Sequence, residues 1–245
     1  MKNLVTQAVI LAAGMGVRLK EFNKGIPKGF IVLDDKPIIE NSVDALLACG
    51  INDIIIVTGY MDEYYENLRC AYPQIRTVQN EKYSETGTMY SLWCARNFIK
   101  EDFILLESDL IYETKALSEI LESPFNDCIL ISGKTEAGDE VFVEEERGFV
   151  KQISKNRDEL NSIAGEYIGI SRISHTLYKT LIETAEEWFD ENLNISYDMD
   201  CLVKVAAKNP LNILKLENLL WAEIDDLSQL NKAKKVWENI KKKNA

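Results

Sequence analysis

Residues 11–19, Leu-Ala-Ala-Gly-Met-Gly-Val-Arg-Leu, followed at 26–29 by Ile-Pro-Lys-Gly, combine small side chains with fixed positive charge. Leu11, Ala12, Ala13, Gly14 and Gly16 form a stretch whose backbone N–H groups can approach a phosphate chain or a base, which bulkier neighbours would prevent. Between Gly14 and Gly29 four cations, Arg18, Lys20, Lys24 and Lys28, face one acid, Glu21. Pro27 restricts the backbone beside Lys28 and so narrows where that ammonium can stand. A bare GxG among lysines reads as a solvated turn. Here an apolar run precedes it and a Pro-Lys pair follows, the arrangement of a strand that delivers an anion-binding loop. The stretch lacks the GK[ST] of a Walker A motif and the spacing of the dinucleotide-binding GxGxxG.

The elements that must position these residues alternate between strand and helix patterns. Apolar runs at 7–12, 53–57, 75–78 and 103–106 are separated by helical patterns at 38–47, 61–68 and 88–98, which predicts βαβ units around a mainly parallel sheet. The strand at 103–106 ends in Glu107, Ser108 and Asp109, and ligands of open α/β sheets bind at the carboxyl ends of strands. From residue 127 the pattern turns β-rich, with strands expected at 128–132, 140–145, 149–154 and 167–173. Ser174 should cap a helix carrying Leu177, Leu181, Ala185 and Phe189 on one face, and His175 belongs to its first turn. A short helix at 198–207, strands at 211–216 and 220–224 and a terminal helix complete the chain. No repeat or Pro/Gly/Ser-rich linker is found, so residues 1–245 are expected to form one domain.

Composition narrows the function. The 245 residues carry 28 Lys and Arg against 40 Asp and Glu, a net charge of −12, which argues against binding nucleic acid by counterion release and against an anionic membrane surface. Five widely spaced cysteines and a single histidine exclude zinc fingers and two-histidine sites, and suit a reducing, cytoplasmic setting. Residues 1–13 resemble a signal peptide only superficially, because the apolar stretch is short and runs into Gly14, Gly16 and Arg18; no membrane insertion is expected.

LAAGMGVRL followed by IPKGF resembles the signature of the nucleotidyltransferases. GINDIIIVTGY (50–60), NEKYSETGTMYSL (80–92), LLESDLIYE (105–113), SGKTEAGDEV (132–141), SKNRDEL (154–160) and LLWAEIDD (219–226) are similar to stretches of the (2-aminoethyl)phosphonate and phosphocholine cytidylyltransferases within that superfamily. The resemblance covers nearly the whole chain and leans towards the aminoethylphosphonate enzymes. It implies a Rossmann-like three-layer α/β fold with a mixed, mostly parallel sheet and a small β-rich insertion. The implied reaction joins CTP to a small phosphonate or phosphate acceptor with release of pyrophosphate. Arg18 and Lys28 would be catalytic, contacting the triphosphate, and Asp109 and Asp225 would hold Mg2+. The base would lie between the Leu11–Ala13 backbone and Thr86-Gly87-Thr88, with Thr88 and Ser91 as side-chain contacts.

Each assignment has a plainer alternative. Asp109 also reads as a strand-end turn residue, Asp225 as the N-cap of the last helix, and Thr88 and Ser91 as caps of the 88–98 helix. Residues 134–146 hold six acids (Glu136, Asp139, Glu140, Glu144, Glu145, Glu146) and one base, Lys134. The 144–146 run reads as a solvated turn. Asp139, Glu140 and Glu166 could receive a primary ammonium, Tyr83, Tyr90, Tyr112, Trp93 and Trp221 could cage a quaternary one, and Lys134, Lys155 and Arg157 could hold the phosphonate. Sugar-1-phosphate nucleotidyltransferases and nucleotide-sugar glycosyltransferases are the competing classes. The first commonly carry further C-terminal structure, and the second have less use for Arg18, Pro27 and Lys28. The sequence leaves oligomeric state open, a homodimer included.

Overall fold

The computed structural model describes residues 4–19, 25–135 and 138–244; Lys20, Glu21, Lys24 and Glu136 of the charged stretches lie outside them. In chain order the elements are β1 (Gln7–Ala12), β2 (Val32–Leu33), β3 (Lys36–Pro37), α1 (Ile38–Ala48), β4 (Asp53–Thr58), α2 (Glu63–Ala71) and β5 (Ile75–Gln79). They continue with α3 (Thr88–Cys94), β6 (Phe103–Glu107), β7 (Leu110–Tyr112), α4 (Lys115–Glu122), β8 (Cys128–Ser132), β9 (Phe142–Glu146), β10 (Phe149–Ser154) and β11 (Gly165–Ile173). Then come α5 (His175–Phe189), a π-helical turn (Tyr197–Leu202), α6 (Val203–Ala206), β12 (Asn212–Leu216), β13 (Trp221–Glu223) and α7 (Leu227–Asn244).

Nine strands form one mixed sheet in the order β5-β4-β1-β6-β11-β8-β12-β10-β9. β5, β4, β1 and β6 run parallel, β11 runs against β6 and β8, and β12 returns parallel to β8. Strand alternation explains the layers. Val9, Leu11, Ile55, Val57, Phe103 and Leu105 point to the face covered by α3, α5 and the π-turn, while Ala8, Ile10, Ile54, Ile56, Ile104 and Leu106 point to the face covered by α1, α2 and α4. Each of the Val, Leu, Ile and Phe side chains among them contributes about 1.5–3 kcal/mol when fully buried. This is the three-layer arrangement expected, and the β9–β10 hairpin is the β-rich addition at one edge.

Several boundaries differ from expectation. β7 and α4 are additional elements, hidden from the local pattern because they follow the β6 strand end with no glycine or proline to mark them; α4 nevertheless buries Ala116, Leu117 and Ile120 on one face. The 88–98 helix stops at Cys94 and tightens into a 3-10 turn over Ala95–Asn97, and the 198–207 helix is π-helical in its first half. β9 begins at Phe142, which leaves Asp139 and Glu140 in the preceding loop. The hairpin turn is at Arg147 and Gly148, whose φ values of 58° and 88° are those of a tight β-turn. Glu144 is therefore in a strand and is 3% exposed, bound by Lys151 Nζ at 2.7 Å and by the Asn161 amide at 2.9 Å, and is not part of a solvated turn. Ser174 caps α5 as expected, its Oγ accepting from Leu177 N at 3.1 Å.

Candidate active site

Three strand ends converge at the carboxyl edge of the sheet. β1 delivers Ala13, Gly14 and Gly16, β6 delivers Glu107 and Asp109, and β13 delivers Glu223 and, just beyond it, Asp225. The first two ends are tied together where Ser108 N donates to Leu11 O at 3.1 Å. Lys28 enters from a 3-10 turn, Lys28–Phe30, that Pro27 starts. Gly16 makes this entry possible: its φ is 54°, and a Cβ there would stand 3.0 Å from Lys28 Cγ.

Lys28 Nζ donates to Asp109 Oδ2 at 2.8 Å and also to Asp225 Oδ1. Arg18 donates from Nη2 to Asp225 Oδ2 at 2.7 Å and from Nη1 to Asp139 Oδ2 at 3.2 Å. Burial alone would lower the Lys28 pKa, but Asp109 and Asp225 outweigh it and hold the ammonium charged far above its ordinary value. Burial alone would raise the Asp225 pKa, but Lys28 and Arg18 keep its carboxyl below the usual carboxylate range.

Asp225 is free for this role because its neighbour does the capping. Asp226 Oδ1 accepts from Gln229 N at 2.8 Å, and Gln229 Oε1 accepts from Asp225 N at 2.6 Å and Asp226 N at 3.2 Å, a reciprocal capping box at the start of α7. The capping alternative for Thr88 and Ser91 also fails. Gly87 occupies the N-cap of α3 with no side-chain cap, Thr88 Oγ1 accepts from Tyr197 N at 3.0 Å, and Ser91 Oγ accepts from Asn80 Nδ2 at 3.0 Å.

Two acids that the residue-by-residue reading left unassigned complete the cluster. Glu107, Asp109 and Glu223 each offer a carboxylate oxygen within 4.8 Å of the others. Glu223 stands two residues before Asp225, the spacing that returns a strand to the same face, and this was the available signal. Tyr197 Oη donates to Glu107 Oε1 at 2.9 Å, a long-range contact with no trace in the local sequence. Burial, and next the charge of Asp109, push the Glu107 and Glu223 carboxyls above the usual range. Hard oxygen donors in this number suit a divalent cation, and the Lys28 ammonium, paired with Asp109 and Asp225, already places one cation beside them.

All nine residues expected at the nucleotide, Leu11, Ala12, Ala13, Gly14, Gly16, Thr86, Gly87, Thr88 and Ser91, line one cavity of about 360 Å3, with Arg18, Lys28, Asp109 and Asp225 on its wall. Gly87 lets the wall close: a Cβ there would come within 2.2 Å of Ile195 O. Of the residues expected at the acceptor, Lys134, Asp139 and Glu140 line a second cavity of about 240 Å3, together with Tyr167 and Trp221, and Glu223 lines both cavities. Lys155 reaches Asp139 Oδ1 at 3.2 Å. Glu166 is buried, and its carboxylate accepts from Thr135 N at 2.9 Å and Thr135 Oγ1 at 2.6 Å, anchoring the loop that carries Lys134. Arg157 lies on the exposed turn Arg157–Glu159 and lines neither cavity. The five aromatic residues do not meet in a cage: Tyr83 faces the first cavity and Trp221 the second, Tyr112 is buried in the core, and Tyr90 and Trp93 pack with Phe189.

Known proteins share this architecture. The chain is similar to CTP:phosphoglutamine cytidylyltransferase of Campylobacter jejuni, 25% identical over 91% of this chain and 97% of that one. It is also similar to 2-aminoethylphosphonate cytidylyltransferase of Lancefieldella rimae, 28% identical over 92% of this chain and 90% of that one. The inositol-1-phosphate CTP transferase of T. maritima superposes with a TM-score of 0.84 over 98% of both chains at 21% identity, a likeness of fold. The family model of the MobA-like NTP transferase domain matches residues 8–242, spanning both cavities and every strand end that meets between them. The chain is a nucleotidyltransferase and belongs to the MobA-like NTP transferase family.

Proposed function

We propose that this chain is a cytoplasmic, magnesium-dependent cytidylyltransferase that moves CMP from CTP to a small phosphonate or phosphate whose far end is cationic, 2-aminoethylphosphonate being favoured. One observation carries the reading. A cavity walled by Arg18 and Lys28 beside Asp109 and Asp225 shares Glu223 with a second cavity lined by Lys134 and by the acids Asp139 and Glu140. The Campylobacter jejuni relative carries CTP in its name and the Lancefieldella rimae relative is named a cytidylyltransferase, which supports CTP as donor.

In this reading the acceptor's phosphonate oxygen attacks the α-phosphorus, and the bond from that phosphorus to the bridging oxygen of the β-phosphate breaks. Pyrophosphate leaves with the bonding electrons. Asp109 and Asp225 would hold Mg2+, with Glu107 and Glu223 beside them; when bound, the ion neutralises charge on the triphosphate and the departing pyrophosphate. Lys28 and Arg18 place fixed positive charge where negative charge gathers in the transition state. Both now bind carboxylates, so the triphosphate takes over cations already held in position. Lys134 suits the acceptor's anionic end, and Asp139 and Glu140 suit its ammonium. Trp221 and Tyr167 in the same wall favour phosphocholine as the second reading, since aromatic faces attract quaternary ammonium groups.

Pyrophosphate release tests both readings. With Mg2+ and each of the four common ribonucleoside triphosphates, the acceptors compared are 2-aminoethylphosphonate, phosphocholine, phosphoglutamine, inositol 1-phosphate and glucose 1-phosphate. Release confined to CTP with 2-aminoethylphosphonate is expected. Release with phosphocholine instead transfers the assignment to the second reading. Turnover of UTP with glucose 1-phosphate, or none with any pair, overturns the cytidylyltransferase reading.

A further inference from the structure

The cavity wall formed by Thr86 and Ser91 contains a hydrogen-bond network, centred on one buried amide, whose proton positions follow from its donors and acceptors. Asn80 is fully buried in the loop after β5. Its Oδ1 accepts from Lys82 N at 3.0 Å, and a backbone N–H can only donate, so the amide orientation is determined. Its Nδ2 must then face the hydroxyls of Thr86 at 2.9 Å and Ser91 at 3.0 Å, donating one hydrogen to each. Thr86 Oγ1 donates to Lys82 O at 3.0 Å, and a carbonyl can only accept. Thr86 has thus committed its proton and retains a lone pair. Ser91 is the reverse: its oxygen accepts from Asn80, and its own proton has no acceptor among the described residues, although the side chain is 5% exposed and lines the cavity.

We infer that Asn80 is the positioning residue for base selection, acting through these hydroxyls so that the wall offers one acceptor, Thr86, beside one donor, Ser91. Two adjacent positions of cytosine match that pair, the 4-amino group as donor and N3 as acceptor. Uracil presents the inverse at the same positions, a carbonyl at C4 and a proton on N3. A base of the wrong pattern leaves buried polar groups unpaired on both sides, and this kind of mismatch discriminates more strongly than a difference in size. Thr88, whose Oγ1 receives the Tyr197 amide, is not part of this pair. The inference rests on CTP being the donor substrate.

Asn80→Asp provides a sharp test because it keeps the shape and the acceptor for Lys82 N while replacing the donating amide with an accepting oxygen. Ser91 then turns its proton inward to the introduced carboxylate and shows the cavity a lone pair. The ratio of kcat/KM for CTP to that for UTP, with one acceptor held saturating, is expected to fall by about tenfold to a hundredfold. Combining Asn80→Asp with Ser91→Ala should remove most of that change, since the amide acts through the hydroxyl. Loss of stability alone would lower both substrates together and leave the ratio intact. An unchanged ratio in a folded Asn80→Asp protein overturns the inference, as does an undiminished effect in the Ser91→Ala background. Should Asn80→Asp fail to fold, Ser91→Ala by itself must lower the CTP-to-UTP ratio, and an unchanged ratio there is equally decisive. The two readings fail separately: wild-type protein that never uses CTP sinks the cytidylyltransferase assignment, whereas wild-type preference for CTP with insensitive variants sinks only the role of Asn80.

Discussion

Lys28 pairs with two carboxylates of this site, and in the proposed reaction its charge serves the transition state. Its ammonium joins Asp109 to Asp225, with Glu107 and Glu223 close behind. Lys28→Ala should lower turnover by about two to three orders of magnitude by removing charge aimed at the transition state. The same change leaves partly buried carboxylates without their partner, and the loss in folding stability should be about 1–3 kcal/mol by denaturant unfolding. Added Mg2+ should recover much of that stability but little of the turnover. Retention of near wild-type turnover would remove Lys28 from the reaction. Lys28 was legible in the sequence because a proline beside a lysine, a fixed distance after a glycine loop, constrains a local backbone. The network around Asn80 was not, since it depends on a loop folding back on a helix.

At the scale of elements, the start of α7 separates structure from chemistry in adjacent residues. Asp226 caps the helix while Asp225 faces Lys28. Asp226→Ala should cost about 0.5–2 kcal/mol of stability, the usual loss for a helix cap, and leave kcat nearly unchanged. Asp225→Asn should do the opposite, abolishing turnover with a smaller shift in unfolding midpoint. Equal effects from both changes would mean that the helix end works as one unit. The β9–β10 hairpin makes a prediction in pH. Lys151 first, then Asn161, lower the Glu144 pKa to about 2. A depressed folded-state value means that the stabilisation is fully present above the unfolded-state pKa, about 4.3, and is lost as pH falls towards 2. Replacing Glu144 with Gln should therefore flatten the dependence of unfolding free energy on pH between these limits. An unchanged slope would show that Glu144 does not couple hairpin stability to protonation.

For the whole molecule, the net charge of −12 coexists with a place for polyphosphate because charge is judged locally near a cavity and globally only at long range. Burial and the charge of Asp109 raise the Glu107 and Glu223 carboxyls above the ordinary range, and a cation bound among them would favour their ionised forms. Any proton these raised carboxyls hold is released when the cation binds, so Mg2+ affinity is expected to rise with pH across the neutral range; calorimetry in buffers of different ionisation enthalpy measures both affinity and proton release. Affinity independent of pH, with no proton release, would mean that these carboxyls are already ionised. The sequence alone determined the alternation of strands and helices, the glycine loop and the cations beside it. Each of these is written in short-range periodicity, turn chemistry and residue size, which act over a few neighbours. Only the tertiary structure decided which carboxylate caps and which faces the cavity, that Glu166 anchors a loop while Arg157 stands apart, and which way the hydroxyls of Thr86 and Ser91 point. Those outcomes depend on groups brought together from distant parts of the chain, where burial removes water as the alternative hydrogen-bond partner and makes each pairing a choice between protein groups alone.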